Sequence, residues 1–179
     1  MAKGYTDTDK GMKDILAEIQ NLKSMCVKVG VTDDVGAESH GDGGPTLAQI
    51  ATWNELGVLA RRRRVKATEP HGDGKWFIPP RPFVRGFADN KREEIADTLA
   101  KLMKLVSGGK LNAEDAIAKL GIYGQSGVRK YLRDGPFAPN ADSTIARKGS
   151  SKPLINTGTL RNSIRYQVIH EPVEKVGGK

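Results

Sequence analysis

His40, His71 and His170 are the histidines of this chain, Cys26 is its single cysteine, and Asp33, Asp34, Glu38 and Asp42 form a close-set group of carboxylates. A histidine can act as general base or metal ligand, a thiolate as nucleophile or zinc ligand, and a ladder of carboxylates can hold calcium. The spacing supports none of these. No histidine has a ligand-spaced partner, and one cysteine cannot make the usual thiolate set for zinc. The acidic group does not fall on the Asp-x-Asp-x-Asp-Gly ladder that surrounds calcium with oxygens. Ser39 and Ser126 lack the strand-turn-helix context of an activated serine, and Glu93-Glu94 are explained as helix-start residues that complement the dipole. Gly121, Gly124 and Gly127 form G-x-x-G-x-x-G with no Lys-Ser or Lys-Thr after it, so a phosphate loop is a poor reading. The expectation is a protein without catalysis, cofactor or metal.

Charge is the stronger signal. Twenty-nine Lys plus Arg against 21 Asp plus Glu give a net charge of +8, which favours polyanions or acidic protein surfaces as partners. The excess is concentrated in Arg61, Arg62, Arg63, Arg64 and Lys66, with a second group of Arg129, Lys130 and Arg133 on a predicted helix. The helical group reads as a solvated face. The arginine block has two sharper readings, contact with DNA phosphates or docking on an acidic portal, connector or tail surface. No apolar run approaches the roughly 18 residues of a membrane span. The N-terminal residues lack a signal-peptide stretch, so synthesis and use in the cytosol are expected. Cys26 lies in an apolar alternation and reads as a small buried hydrophobe.

The elements follow from periodicity. Met12, Ile15, Leu16, Ile19 and Leu22 recur at helical spacing, with Asp7, Thr8 or Asp9 available as cap. From Met25 the period becomes two, and Met25, Val27, Val29 and Val31 define a strand. Residues 32–45 read as a flexible loop. Thr46-Leu47-Ala48-Gln49 is a capping box opening a helix over 47–56 that ends at Gly57. Residues 58–75 read as an exposed loop or flexible hairpin. The prolines of Ile78-Pro79-Pro80-Arg81-Pro82-Phe83 make a rigid strut, with Pro82 placed to be the first residue of a helix. One helix is expected from Phe83 to Val106, broken by Gly108-Gly109. Asn112 then caps another that carries Ile117, Leu120, Val128, Tyr131 and Leu132. Its three glycines imply either close packing against a neighbouring backbone or a break near Gly121. Residues 135–153 have few apolar anchors and read as an arm that needs a cover. Thr157 reads as the cap of a single turn holding Leu160 and Arg161. Ile164, Tyr166 and Val168 then alternate in a strand that should pair with residues 25–31.

The expected fold class is α+β: a small antiparallel or mixed sheet packed against several helices, with long extended loops. The predicted organisation is a single domain over 1–170 with arms at about 58–75 and 135–153, then a flexible tail over 171–179. Trp53, Pro80, Pro82, Phe83, Phe87, Leu154, Thr157, Leu160 and Arg161 are the candidate core or interface anchors.

Three stretches in order carry a resemblance: Trp53-Asn54-Glu55-Leu56-Gly57, the strut Ile78 to Phe83, and Pro153-Leu154-Ile155-Asn156-Thr157-Gly158-Thr159-Leu160-Arg161-Asn162-Ser163-Ile164. With Val29-Gly30-Val31 and Lys148-Gly149, this set resembles the tail-completion proteins of tailed bacteriophages, small subunits found where the DNA-filled head meets the tail. The resemblance covers most of the chain. It implies a nonenzymatic α+β subunit of a ring, commonly sixfold, in the tail or neck of the virion, assembled in the host cytoplasm. The implied partners are identical subunits, neighbouring neck or connector and tail-tube proteins, and phage DNA in the channel, with no membrane. Two departures stand out: many such proteins have aspartate where Asn156 stands and a much shorter link where 58–75 stand. A basic nucleic-acid-binding module is the rival reading, weakened by the lack of a helix-turn-helix or an aromatic stacking platform. A capsid-side adaptor or stopper is a further variant of the structural one.

Overall fold

The computed structural model of the chain describes residues 11–39, 43–61 and 75–170, without the side chains of 59–61 and 75–77. Caps at Asp7 to Asp9, the histidines His40 and His71, Arg62 to Arg64 with Lys66, and the tail over 171–179 lie outside the described residues. The fold is α+β. Among the described residues the order is α1 (Met12–Leu22), β1 (Met25–Val31), α2 (Asp33–Gly36), α3 (Leu47–Leu56), β2 (Val58–Arg61) and β3 (Lys75–Ile78). There follow α4 (Phe83–Asn90), α5 (Arg92–Ser107), α6 (Ala113–Asp134), α7 (Asp142–Lys148), α8 (Thr159–Asn162) and β4 (Ile164–His170). β1 pairs with β4, which joins the two alternating segments from opposite ends of the chain as expected. β2 and β3 form an antiparallel hairpin with Val58 opposite Ile78 and Arg61 opposite Lys75.

The described residues fall into two compact units. One holds the described residues up to 28, 93–123 and those from 167 onward, and the other holds the described residues within 29–92 and 124–166. In the first, Met25, Ala113 and Ile117 are buried together, with Leu22, Val27 and Val168 packed on them. Leu22 also touches a second cluster of Leu102, Val106 and Ala116. The strand alternation therefore has the helical cover that its apolar face requires. Asn112 caps α6 as expected, its Oδ1 accepting from Asp115 N at 2.7 Å. The Glu18 carboxylate of α1 takes a further free amide, from Ala113, at 2.6 Å.

In the second unit the buried apolar side chains are Leu47, Phe83, Phe87, Val128, Leu132, Leu160 and Ile164, and Arg81 and Ser163 are buried with them. α6 runs unbroken through its glycines, and the reason is visible at Gly127, where a Cβ would lie 2.3 Å from the Phe87 ring. The close approach is to a side chain, not to a neighbouring backbone. Phe87 thereby gains a flat seat on α6 that any larger residue at 127 would fill.

Several boundaries differ from the periodic reading. The expected loop over 32–45 contains α2, and Ser39 bridges Thr46. The helix expected from Phe83 to Val106 breaks at Lys91, whose φ of −118° and ψ of 19° are not helical. Pro82 is the N-cap of α4, one residue before the expected position. The turn at Leu160 is α8, whose N-cap is Gly158 at φ 83°, because a left-handed entry suits glycine better than Thr157. Thr157 stands just outside, its hydroxyl 2.6 Å from that of Thr159. Cys26 is half-buried, because the strand exposes the face that alternates with Met25.

Candidate functional site

The two motifs Trp53 to Gly57 and Ile78 to Phe83 are far apart in sequence and meet in the second unit. α3 starts with the complete capping box of Thr46 and Gln49 and ends at Gly57, whose φ of 74° only glycine adopts without strain. A Cβ there would also lie 2.9 Å from the Pro80 ring, so the chain can turn into β2 beside the strut only with glycine at this point. The strut is fastened twice to the end of α3. Arg81 N donates to Asn54 O at 2.6 Å. The Glu55 carboxylate accepts from Phe83 N at 2.8 Å, Val84 N at 3.0 Å and Arg85 N at 2.9 Å.

These last three bonds explain how α4 begins after a proline. Its first amides have no partner within the helix, and Pro82 offers no capping side chain. An anion from α3 takes them and lies at the positive end of the helix dipole. Replacing Glu55 with glutamine keeps one acceptor and removes the charge, so the protein should lose about 1 kcal/mol of stability. Urea denaturation checks this, and an unchanged midpoint would show that the cap contributes nothing.

Arg81 extends the framework to the segment read as an arm. Its side chain is 7% exposed. Nε donates to Ala138 O at 2.8 Å, and Nη2 donates to Pro139 O at 2.9 Å and more weakly to Asn140 Oδ1. Burial lowers the proton affinity of the guanidinium below the ordinary arginine value. Among the described residues no carboxylate pairs with it, so neutral carbonyls alone compensate the charge. Asn140 carries the connection onward, its Nδ2 donating to Ser151 O at 3.2 Å and Lys152 O at 3.1 Å. Residues 135–153 therefore contain a helix, α7, and are tied to the strut. Lys148, at the end of α7, donates to Lys152 O at 3.1 Å. Desolvation first, then the charges of Arg81 and Arg147, lower its proton affinity.

The other anchors divide clearly. Phe83, Phe87 and Leu160 are buried, Trp53, Pro82, Leu154 and Arg161 are half-buried, and Pro80 and Thr157 are exposed. Ile155 N donates to Pro153 O at 2.7 Å, closing a three-residue turn about Leu154, whose φ is 59°. A left-handed leucine costs about 1–3 kcal/mol, so the surrounding packing must hold it. α3 packs against α2, α4 and α8, which brings the third motif to the first two. The sequence reading missed Glu55 and Arg81 as ties. Their signal was present: an acid at a helix end and an arginine between prolines, both in stretches otherwise built for geometry.

Arg61 ends β2 at the mouth of the hairpin. Arg133 forks onto its neighbour Asp134 at 2.7 Å, which leaves it a local ion pair on the surface. Arg129 and Arg161 instead converge on Asn162, together with Arg165. In the first unit, Glu18, Glu114 and His170 line an open polar cleft of about 420 Å³. Glu18 is committed to the Ala113 amide, and His170 lies 3.4 Å from Glu114 at an exposed edge. Among the described residues no group of three His, Cys, Asp or Glu could hold a metal ion. None of their helices is long and apolar enough to cross a membrane. Compared with family profiles, with curated proteins and with solved structures, the chain matches none.

Proposed function

We propose that this chain is a structural subunit of a tailed-phage virion, a ring-forming tail-completion or neck protein that joins the tail to the DNA-filled head. The observation that carries the reading is that the three stretches behind the resemblance serve one framework. Trp53 to Gly57 supplies the cap of α4, the strut supplies Arg81 to the 138–140 carbonyls, and the third stretch supplies α8, against which α3 packs. Their residues fix geometry, and none presents a nucleophile beside a base, so a nonenzymatic role suits them.

A subunit with neighbours also needs apolar side chains left uncovered in the single chain. Leu16, Leu56, Leu99, Leu105 and Ile122 are 38–62% exposed, all on helices. These give rigid elements contact area for adjacent copies or for neck and tail-tube partners.

Light scattering of the purified chain should give a discrete multiple of 19.4 kDa, with six copies the count implied by the resemblance. Electron microscopy of particles made with a labelled copy should place the label where head meets tail. A monomer under all conditions, together with particles that lack the label, would overturn the proposal.

A further inference from the structure

Three arginines of the second unit meet at Asn162. From α6, Arg129 Nη2 donates to Ile164 O at 2.8 Å and to Asn162 O at 3.3 Å. From β4, Arg165 Nη1 donates to the same Asn162 carbonyl. From α8, Arg161 places Nε at 3.4 Å and Nη2 at 3.3 Å from Asn162 Oδ1. Three separate elements thus deliver three cations to three neutral oxygens, Asn162 O, Asn162 Oδ1 and Ile164 O, the last also reached by Arg165 Nη1 at 3.4 Å.

Such an arrangement is unfavourable for the chain alone. Like charges repel, and Arg129 holds its proton less tightly than an ordinary arginine, chiefly through burial and then through the charges of Arg165 and Arg161. Its Nε is enclosed and donates to nothing. An enclosed donor without an acceptor is costly and rare. Among the described residues none of the three guanidiniums pairs with a carboxylate. Asp34 feels the charge of Arg165 only as the weakest of several influences, the first being the Thr32 hydroxyl. Each guanidinium has five N–H donors, and the neutral oxygens take only part of them.

We propose that Arg129, Arg161 and Arg165 form a phosphate-binding site for the backbone of a nucleic acid, read by charge and without regard to base sequence. One carboxylate is matched by a single guanidinium fork, whereas a polynucleotide presents anions in series, which suits cations arriving from three elements. The exposed Lys130 beside Arg129 and the chain's net charge of +8 extend the same preference. Arg129 acts as the partly buried anchor, and Arg161 and Arg165 are the outer contacts. The site does not depend on the ring: a subunit that fails to oligomerise would still carry it.

The test compares wild type with the double variant Arg161→Gln/Arg165→Gln, using fluorescence anisotropy of a labelled DNA duplex across a salt series. Arg133→Gln serves as the control, because Arg133 is occupied by Asp134. Loss of two phosphate contacts should weaken binding at least about tenfold and flatten the slope of log K against log salt by about 1.8, with no dependence on duplex sequence. The control should keep the wild-type slope, and light scattering should give the double variant the wild-type mass. An unchanged slope in the double variant would overturn the site. Stabilisation of wild type by inorganic phosphate without duplex binding would make it a small-anion site and overturn the nucleic-acid assignment. Equal binding of poly-glutamate and duplex, lost together in the double variant, would do the same in favour of an acidic protein.

Discussion

Replacing Phe83 with alanine should lower stability by about 3–5 kcal/mol. Phe83 is 1% exposed and opens α4, where its own amide is fixed by Glu55. The ring therefore cannot be replaced by a modest shift of the helix. One turn later, Phe87 is seated on Gly127, which leaves α4 no room to slide along α6. A cavity made beside elements held this firmly collapses little, and an uncollapsed cavity accounts for the upper half of the range. For a chain of this length the melting temperature should fall by roughly 10 °C. A variant that melts with wild type would show that the ring contributes nothing to the core. The same substitution distinguishes a core residue from an interface residue: an interface phenylalanine would change oligomeric mass and leave the melting of the single chain alone.

Sequence periodicity located the parts of the fold whose burial is decided locally. The strands over 25–31 and 164–170, the capping box at Thr46, the end of α3 at Gly57 and the Asn112 cap all depend on residues within a few positions of one another. Boundaries set from a distance were not legible in that way. Lys91 divides α4 from α5 although the apolar spacing of Phe87, Ile95 and Leu99 runs across it. α6 continues through its glycines because Phe87 needs the space, and the identity of that neighbour is tertiary information. Thr157 has the chemistry of a cap, but the turn is entered through Gly158, whose left-handed backbone a threonine resists.

Function showed a similar division. The stretches that carry the resemblance were visible as motifs, and their ties were not, since Glu55 and Arg81 act on amides and carbonyls roughly 30 and 60 residues away. The four consecutive arginines drew attention through their density. The three arginines around Asn162 stand at 129, 161 and 165 and form no run in sequence, so only the packing of α6, α8 and β4 collects them. Charge density along a chain finds exposed tracts. Convergent charge requires a fold.

Replacing Arg81 with methionine should release residues 136–152 and leave the core intact. Methionine keeps an unbranched apolar side chain to fill the buried channel and removes every donor. Ala138 O, Pro139 O and Asn140 Oδ1 would then lose their partners, at a total of about 1–3 kcal/mol, the lower end applying where water can reach the carbonyls. The consequence is local because α7 has no buried residue of its own and its segment has few apolar anchors. The latch supplies what composition does not. Hydrogen exchange should show the amides of Thr144, Ile145 and Gly149, which close the ends of α7, becoming fast while those in the buried part of α6 stay slow. Arg81→Lys keeps the charge but cannot reach two carbonyls with a planar fork, so it should fall between methionine and wild type. If the α7 amides exchange at wild-type rates in the methionine variant, the segment is held by something other than the guanidinium, and the three motifs do not act as one framework.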